Sequence, residues 1–174
     1  MKASTEDKIA WCEEFGVKTE LTFATGRMHE AGIPTYLNPE KIKNKYTHDL
    51  FSVFQSDLKT VRTPLFKAEE LYGIDPQFAV TFNVKDGVRY RDLYPNIVVI
   101  FDVMWDDPCS IVLGARRYQV DPMHQTYAGF LSDIRSAIQK SGNKKIEYRK
   151  RIYDTVGNAK QSYVFDVRHL HRIA

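Results

Sequence analysis

The sequence predicts a mixed α/β fold, a central mixed sheet flanked by helices, and three observations point there. Residues 97–104 (IVVIFDVM) form a nearly continuous apolar run, the pattern of a central strand covered on both faces. Residues 78–85 (FAVTFNVK) alternate, with Phe78, Val80, Phe82 and Val84 on one face and Ala79, Thr81, Asn83 and Lys85 on the other. Residues 126–140 (TYAGFLSDIRSAIQK) carry Phe130, Ile134 and Ile138 at the spacing of an amphipathic helix. Strand and helix patterns interleaved in this way bury their apolar faces by layering helices on a sheet.

The elements follow in chain order. Residues 5–15 (TEDKIAWCEEF) read as a short helix, with Thr5 as N-cap, acids in the first turn and Gly16 as its end. Residues 17–23 (VKTELTF) alternate like a half-buried strand, and 24–37 look irregular. Asn38-Pro39 opens a short helix, PEKIKNK, with Pro at its first position. Residues 47–61 (THDLFSVFQSDLKTV) read as two short strands turning near Phe54-Gln55-Ser56, without the Gly or Asn of a tight hairpin. Lys67 to Tyr72 forms a helical turn ended by Gly73 and Pro76, and Asp86-Gly87 signals a turn after the 78–85 strand. Residues 110–120 add another strand. Residues 146–153 and 161–168 form a late strand pair connected through Gly157-Asn158.

Composition frames the function. The 174 residues suit one domain, with a core over roughly 5–104 and a basic extension over 139–174. Apolar residues make up 43% and charged residues 27%, ordinary for a globular protein. No apolar run approaches membrane-span or signal-peptide length, so no membrane association is expected. Cys12 and Cys109 are far apart and form no metal-type pair, so both read as reduced thiols of a cytoplasmic protein. The net charge of +3 is unevenly placed. Residues 139–174 carry nine Lys/Arg and three acids, so that segment is +6 and the first 138 residues are −3. A basic tail on a near-neutral body suits a polyanion, although a solvated charged surface explains it as well.

The chemistry concentrates in Asp49…Asp57-Leu58-Lys59. On a strand, Asp57 and Lys59 share one face while Leu58 enters the core. If the hairpin turns around residue 53, Asp49 lies across from Asp57. Paired carboxylates repel unless a cation sits between them. Mg2+ suits them, being a hard ion with oxygen ligands and retained waters, and the main-chain carbonyl of Leu58 offers a further oxygen. Lys59 would orient or help deprotonate an attacking water, or stabilise charge developing on a phosphate. The competing reading is a surface hairpin with a cross-strand ion pair, worth about 0–1 kcal/mol.

These residues resemble the signature of the PD-(D/E)XK nuclease superfamily, in which an acid begins one strand and Asp/Glu-x-Lys follows on the next. The resemblance covers roughly residues 5–104. His48 stands where the family's name has Pro, and the step from Asp49 to Asp57 requires a tight hairpin. The resemblance implies a restriction-endonuclease-like fold, Mg2+ with Mn2+ as an alternative, and DNA as substrate. It also implies catalytic roles for Asp49, Asp57 and Lys59, with Asp49, Asp57 and Leu58 as metal ligands. An earlier helix often supplies a third carboxylate. Here that is Glu14 or Glu13, with Glu14 preferred and Glu6 as an outside candidate. Arg62, Lys67, Lys85, Arg89 and Arg91 follow the site and are the candidate DNA contacts. Tyr90 and Tyr94 fit packing better than base stacking.

Two other motifs carry less. His48-Asp49 suggests metal phosphohydrolases named for an HD pair, but stands in a strand-like context without their further ligands. His169-Leu170-His171 would place two imidazoles on one strand face, where surface or phosphate contact fits better than a metal. The expected function is a metal-dependent deoxyribonuclease, with a homodimer admitted. The alternatives are a non-catalytic nucleic-acid-binding or assembly protein of the same fold, and an unrelated interaction protein with an acidic hairpin.

Overall fold

The computed structural model describes residues 16–31, 33–44, 47–52, 54–106, 109–147 and 161–174. The expected 5–15 helix, the 148–153 half of the late strand pair and the Gly157-Asn158 connection lie outside them. The architecture is mixed α/β with a central mixed sheet of six strands, in the order β1-β2-β3-β5-β8-β11. The chain divides into two compact units, residues 1–58 with Ala174 and residues 59–173, and it passes from one to the other within β3.

The first unit opens on a helix. Residues 16–25 are helical (α1), where the alternation of 17–23 implied a strand and Gly16 an end. The alternation misleads because Val17 and Leu21 are exposed, whereas the buried residues are Phe23, Ala24 and Met28. That spacing follows a helix rather than a strand. The Thr22 and Thr25 hydroxyls donate to the carbonyls of Lys18 and Leu21 at 2.8 and 2.9 Å, so neither threonine draws the backbone out of the helix.

A short α2 (Arg27–Glu30) follows, then β1 (Tyr36–Leu37) and a 3₁₀ helix (Pro39–Ile42). The latter begins at Pro39 as the sequence implied, with the Asn38 side chain accepting from the Glu40 N–H at 3.0 Å. β2 (Leu50–Phe51) and β3 (Gln55–Val61) are the two strands expected within 47–61. They pair antiparallel, Leu50 with Ser56 and Phe51 with Gln55.

The second unit holds an apolar core around Phe101, Trp105, Ile134 and Phe165. α3 (Ala68–Tyr72) ends at Gly73. β4 (Ala79–Asn83) is the alternating strand, shortened at both ends. Val84 and Lys85 leave it to begin α4 (Val84–Leu93), so Asp86-Gly87 is no turn. The Asn83 side chain accepts from the Lys85 N–H at 3.0 Å and starts the helix there, and Asp86 in its first turn complements the helix dipole. Gly87 fits because the helix lies close on the strand: a Cβ would meet the Phe82 ring at 3.3 Å.

β5 (Val98–Trp105) is the predicted central strand. The single strand expected over 110–120 is a hairpin, β6 (Cys109–Leu113) and β7 (Arg116–Val120), turning through Gly114 at φ 64°. The helix expected over 126–140 is half strand. β8 (Met123–Phe130) pairs with β5 along its whole length, and α5 (Leu131–Lys140) starts only after it. Asp133 Oδ2 accepts from the Phe130 N–H at 2.8 Å, and this marks the helix start. Leu131, Ile134, Ala137 and Ile138 form the buried stripe, while Phe130 is exposed.

β9 (Lys145–Glu147) and β10 (Gln161–Asp166) pair antiparallel, and β10 also pairs with β4. Residues 167 and 168, read as the end of a strand, begin a 3₁₀ helix (Val167–His169) before β11 (His171–Arg172). His169 and His171 therefore do not share a strand. Within the basic 139–174 segment, Val164, Phe165 and Val167 are fully buried. Among the described residues, no helix is long and apolar enough to cross a membrane.

Candidate active site

The β2–β3 register, extended by one residue, sets Asp49 opposite Asp57, as the hairpin reading required. Asp49 is held at several points. Its main-chain carbonyl accepts from the Asn38 N–H at 2.9 Å, and its Oδ2 accepts from the Leu58 N–H at 3.1 Å. Asn38, 3% exposed, also donates through Nδ2 to the His48 carbonyl at 2.8 Å and to Thr47 Oγ1 at 3.2 Å. One side chain thus starts the 3₁₀ helix and pins the residues leading into β2.

The same 3₁₀ helix carries Lys41, whose Nζ donates to Asp49 Oδ1 and to Glu20 Oε1. Glu20, on α1, is a helix carboxylate beside Asp49. Glu14, Glu13 and Glu6 lie outside the described residues. Sequence reasoning missed Glu20 because 17–23 read as a strand, and with it the carboxylates that Lys41 joins. A helical reading of that segment places Glu20 one turn before the buried Phe23 and Ala24, the signal that was available.

The electrostatics follow from this crowding. Burial, then repulsion by Asp57, pushes the Asp49 carboxyl up to about 6; Glu20 adds to the push, and Lys41 opposes it. Burial works against the Lys41 ammonium, yet the Asp49 and Glu20 carboxylates outweigh it and hold Lys41 above the ordinary lysine range. Asp57 is 3% exposed and buried within β3, where the sequence reading gave it a cleft. His48 is buried against the Phe51 ring, edge to face at 4.6 Å between centroids. Burial lowers its pKa, with Asp57 pulling the other way, so His48 is neutral at pH 7.

The remaining predicted residues belong to the second unit. Lys59 Nζ donates to Asp86 Oδ2 at 2.7 Å and lies 5.6 Å from the Tyr90 ring centroid. Arg89 pairs with Asp86 Oδ1 at 3.2 Å and stacks on the same buried tyrosine at 4.9 Å. Arg91 pairs with Asp92 at 2.7 Å, Arg62 donates to Met104 Sδ at 2.9 Å, and Lys67 lies 5.9 Å from the Tyr118 ring centroid. Lys85, expected on a strand face, stands in the first turn of α4. A cavity of about 370 Å³ in this unit, lined by Tyr72, Asp75, Lys140, Asp166, Arg168 and His169 among others, contains none of the predicted site residues.

Among the described residues, no three His, Cys, Asp or Glu side chains are grouped to hold a metal ion. Mg2+ needs fewer protein ligands, commonly one or two carboxylates with the rest water, and oxygen donors such as Asp49 and Asp57 match its hardness. No protein-family model matches the chain, nor does any curated protein or solved structure.

Proposed function

We propose that the chain is a divalent-metal-dependent nuclease whose catalytic carboxylates are Asp49 and Asp57. One observation carries the reading: two carboxylates face each other across a hairpin, and one is pushed to about 6 largely by burial and by the other's charge. Such a pair is costly to a fold and is found where a cation is to be held. Asp49 and Asp57 would hold Mg2+ or Mn2+, with the Leu58 carbonyl as a further oxygen. Glu20 takes the part that the family resemblance gives to a carboxylate of an earlier helix. A bound ion of this kind lowers the pKa of a coordinated water and neutralises charge on a phosphate. Lys59, two residues beyond Asp57 on β3, would orient the attacking water and stabilise developing charge. Asp49's hydrogen bond from the Leu58 N–H fixes the carboxylate in place before any ligand arrives.

The substrate proposed is DNA, through its phosphodiester backbone. The net charge of +6 in residues 139–174 supports a polyanionic partner. A second reading, a nucleic-acid-binding module without catalysis, draws on Lys59, which is engaged by Asp86 at 2.7 Å. DNA cleavage and thermal melting of wild type, Asp57→Asn and Lys59→Ala, each with and without Mg2+, separate the two. Metal-dependent cleavage by the wild type, lost in both folded variants, supports the nuclease. DNA binding without cleavage under any metal supports the module. Unchanged cleavage in both variants refutes the site.

A further inference from the structure

The Lys41 ammonium reaches two carboxylates that come from different elements, Glu20 on α1 and Asp49 at the entry to β2. Its helix is capped by Asn38, which also pins the His48 carbonyl beside Asp49, so one buried side chain helps to position both the lysine and Asp49. Asp57 faces Asp49 from the other side of the hairpin. Lys41 is the cation that bridges two of these acids, Glu20 and Asp49.

We propose that Lys41 is the resident counter-cation of this site and gives way to the divalent ion, so that metal binding releases its ammonium from Glu20 and Asp49. The inference rests on the metal-dependent reading above. Both cations compete for the same carboxylate oxygens, and a doubly charged ion on Asp49 repels an ammonium bonded to that group. Lysine suits a displaceable cation better than arginine, being a compact point charge on a flexible four-carbon stem. The Lys41 side chain retains 24% of its exposure, which leaves the ammonium a route to water. Released, it uncovers Glu20 for the ion or for the ion's waters. Without metal, it limits the mutual repulsion of the acids.

Two measurements test this. Acetylation of wild-type lysines by an amine-reactive ester, read by mass spectrometry, reports on Lys41 directly. Lys41 should react slowly without metal and several-fold faster with saturating Mn2+. Lys43, 78% exposed, should react alike in both conditions. Calorimetric titration of Mn2+ into Lys41→Met should show binding about 10-fold tighter than wild type, because the competitor is gone. Unchanged Lys41 reactivity when Mn2+ is bound, or equal or weaker binding by folded Lys41→Met, overturns the counter-cation role and leaves the nuclease reading standing. Absence of Mn2+ binding by both proteins overturns the metal reading itself. Should Lys41→Met not fold, the wild-type labelling decides alone.

Discussion

Asp49 stands opposite Asp57 across the β2–β3 hairpin, and the two carboxylates are near enough for the second to raise the proton affinity of the first. A carboxyl lifted from 3.8 to about 6 binds its proton more tightly folded than unfolded. The folded protein therefore carries the full penalty above pH 6 and is relieved of it as pH falls from about 6 toward about 4. The shift corresponds to about 3 kcal/mol, shared among burial and the neighbouring charges.

Asp57→Asn removes one of those charges and leaves the contacts of Asp49 with Lys41 and the Leu58 N–H in place. Without divalent metal, the variant should be more stable than wild type at pH 8 by about 1–2 kcal/mol. The margin should narrow once pH drops below 6, where Asp49 takes up a proton and the repulsion disappears. Melting curves across pH 4 to 8 measure this. A variant that melts at or below the wild-type temperature at pH 8 contradicts the repulsion.

Asn38 is the second test, and it concerns architecture rather than charge. It caps the 3₁₀ helix and donates to the His48 carbonyl and Thr47, while 3% exposed. Asn38→Ala leaves these groups without their partner, at a cost of about 2–4 kcal/mol. Urea unfolding should show the loss. Asn38→Asp keeps the cap but not the two donations, and should fall between wild type and alanine. A loss below about 1 kcal/mol for alanine would mean that the 38–49 segment is held by other contacts.

How far the sequence disclosed this site depends on whether neighbours in the chain or neighbours in space decide. The hairpin was legible in part, because the two strand patterns are local. The turn read near Phe54-Gln55-Ser56 lies before Gln55, since Gln55 and Ser56 pair within β3, and only the alternative turn around residue 53 sets Asp49 across from Asp57. Pro39 after Asn38 disclosed the 3₁₀ helix in the same way. Segment 17–23 was misread because Val17, Thr19, Leu21 and Phe23 alternate by type, although only Phe23 is buried. Asp86-Gly87 has turn chemistry, but the Asn83 cap three residues earlier had already started a helix. Residues 126–130 contain Gly129, a poor helix former that the reading passed over, and their strand is fixed by pairing with β5, a partner distant in sequence. The pairing of Glu20 with Lys41 was hidden for the same reason, since twenty-one residues separate them and only the tertiary fold joins them.

The candidate DNA contacts give the last test, because the fold sorts them by what they already do. Arg89 is tied to Asp86 and stacked on Tyr90, and Arg91 is paired with Asp92. Lys85 forms no ion pair among the described residues and stands at the exposed start of α4. A side chain without an intramolecular partner can neutralise a phosphate without first breaking a contact. Each phosphate neutralised contributes about −0.9 to the slope of log affinity against log salt. Lys85→Ala should therefore weaken duplex DNA binding, reduce that slope by about 1, and leave the melting temperature nearly unchanged. Arg89→Ala should do the reverse. It loses an ion pair and a stacking contact over a tyrosine that is 1% exposed, costing about 1–2 kcal/mol of stability. Its salt slope should move less than that of Lys85→Ala. Fluorescence anisotropy of labelled duplex from 50 to 300 mM salt, with parallel melting curves, measures both quantities. Equal slopes for wild type and Lys85→Ala would remove the start of α4 from the DNA path. A reduced slope for Arg89→Ala without loss of stability would place that arginine on DNA and make its contacts with Asp86 and Tyr90 dispensable.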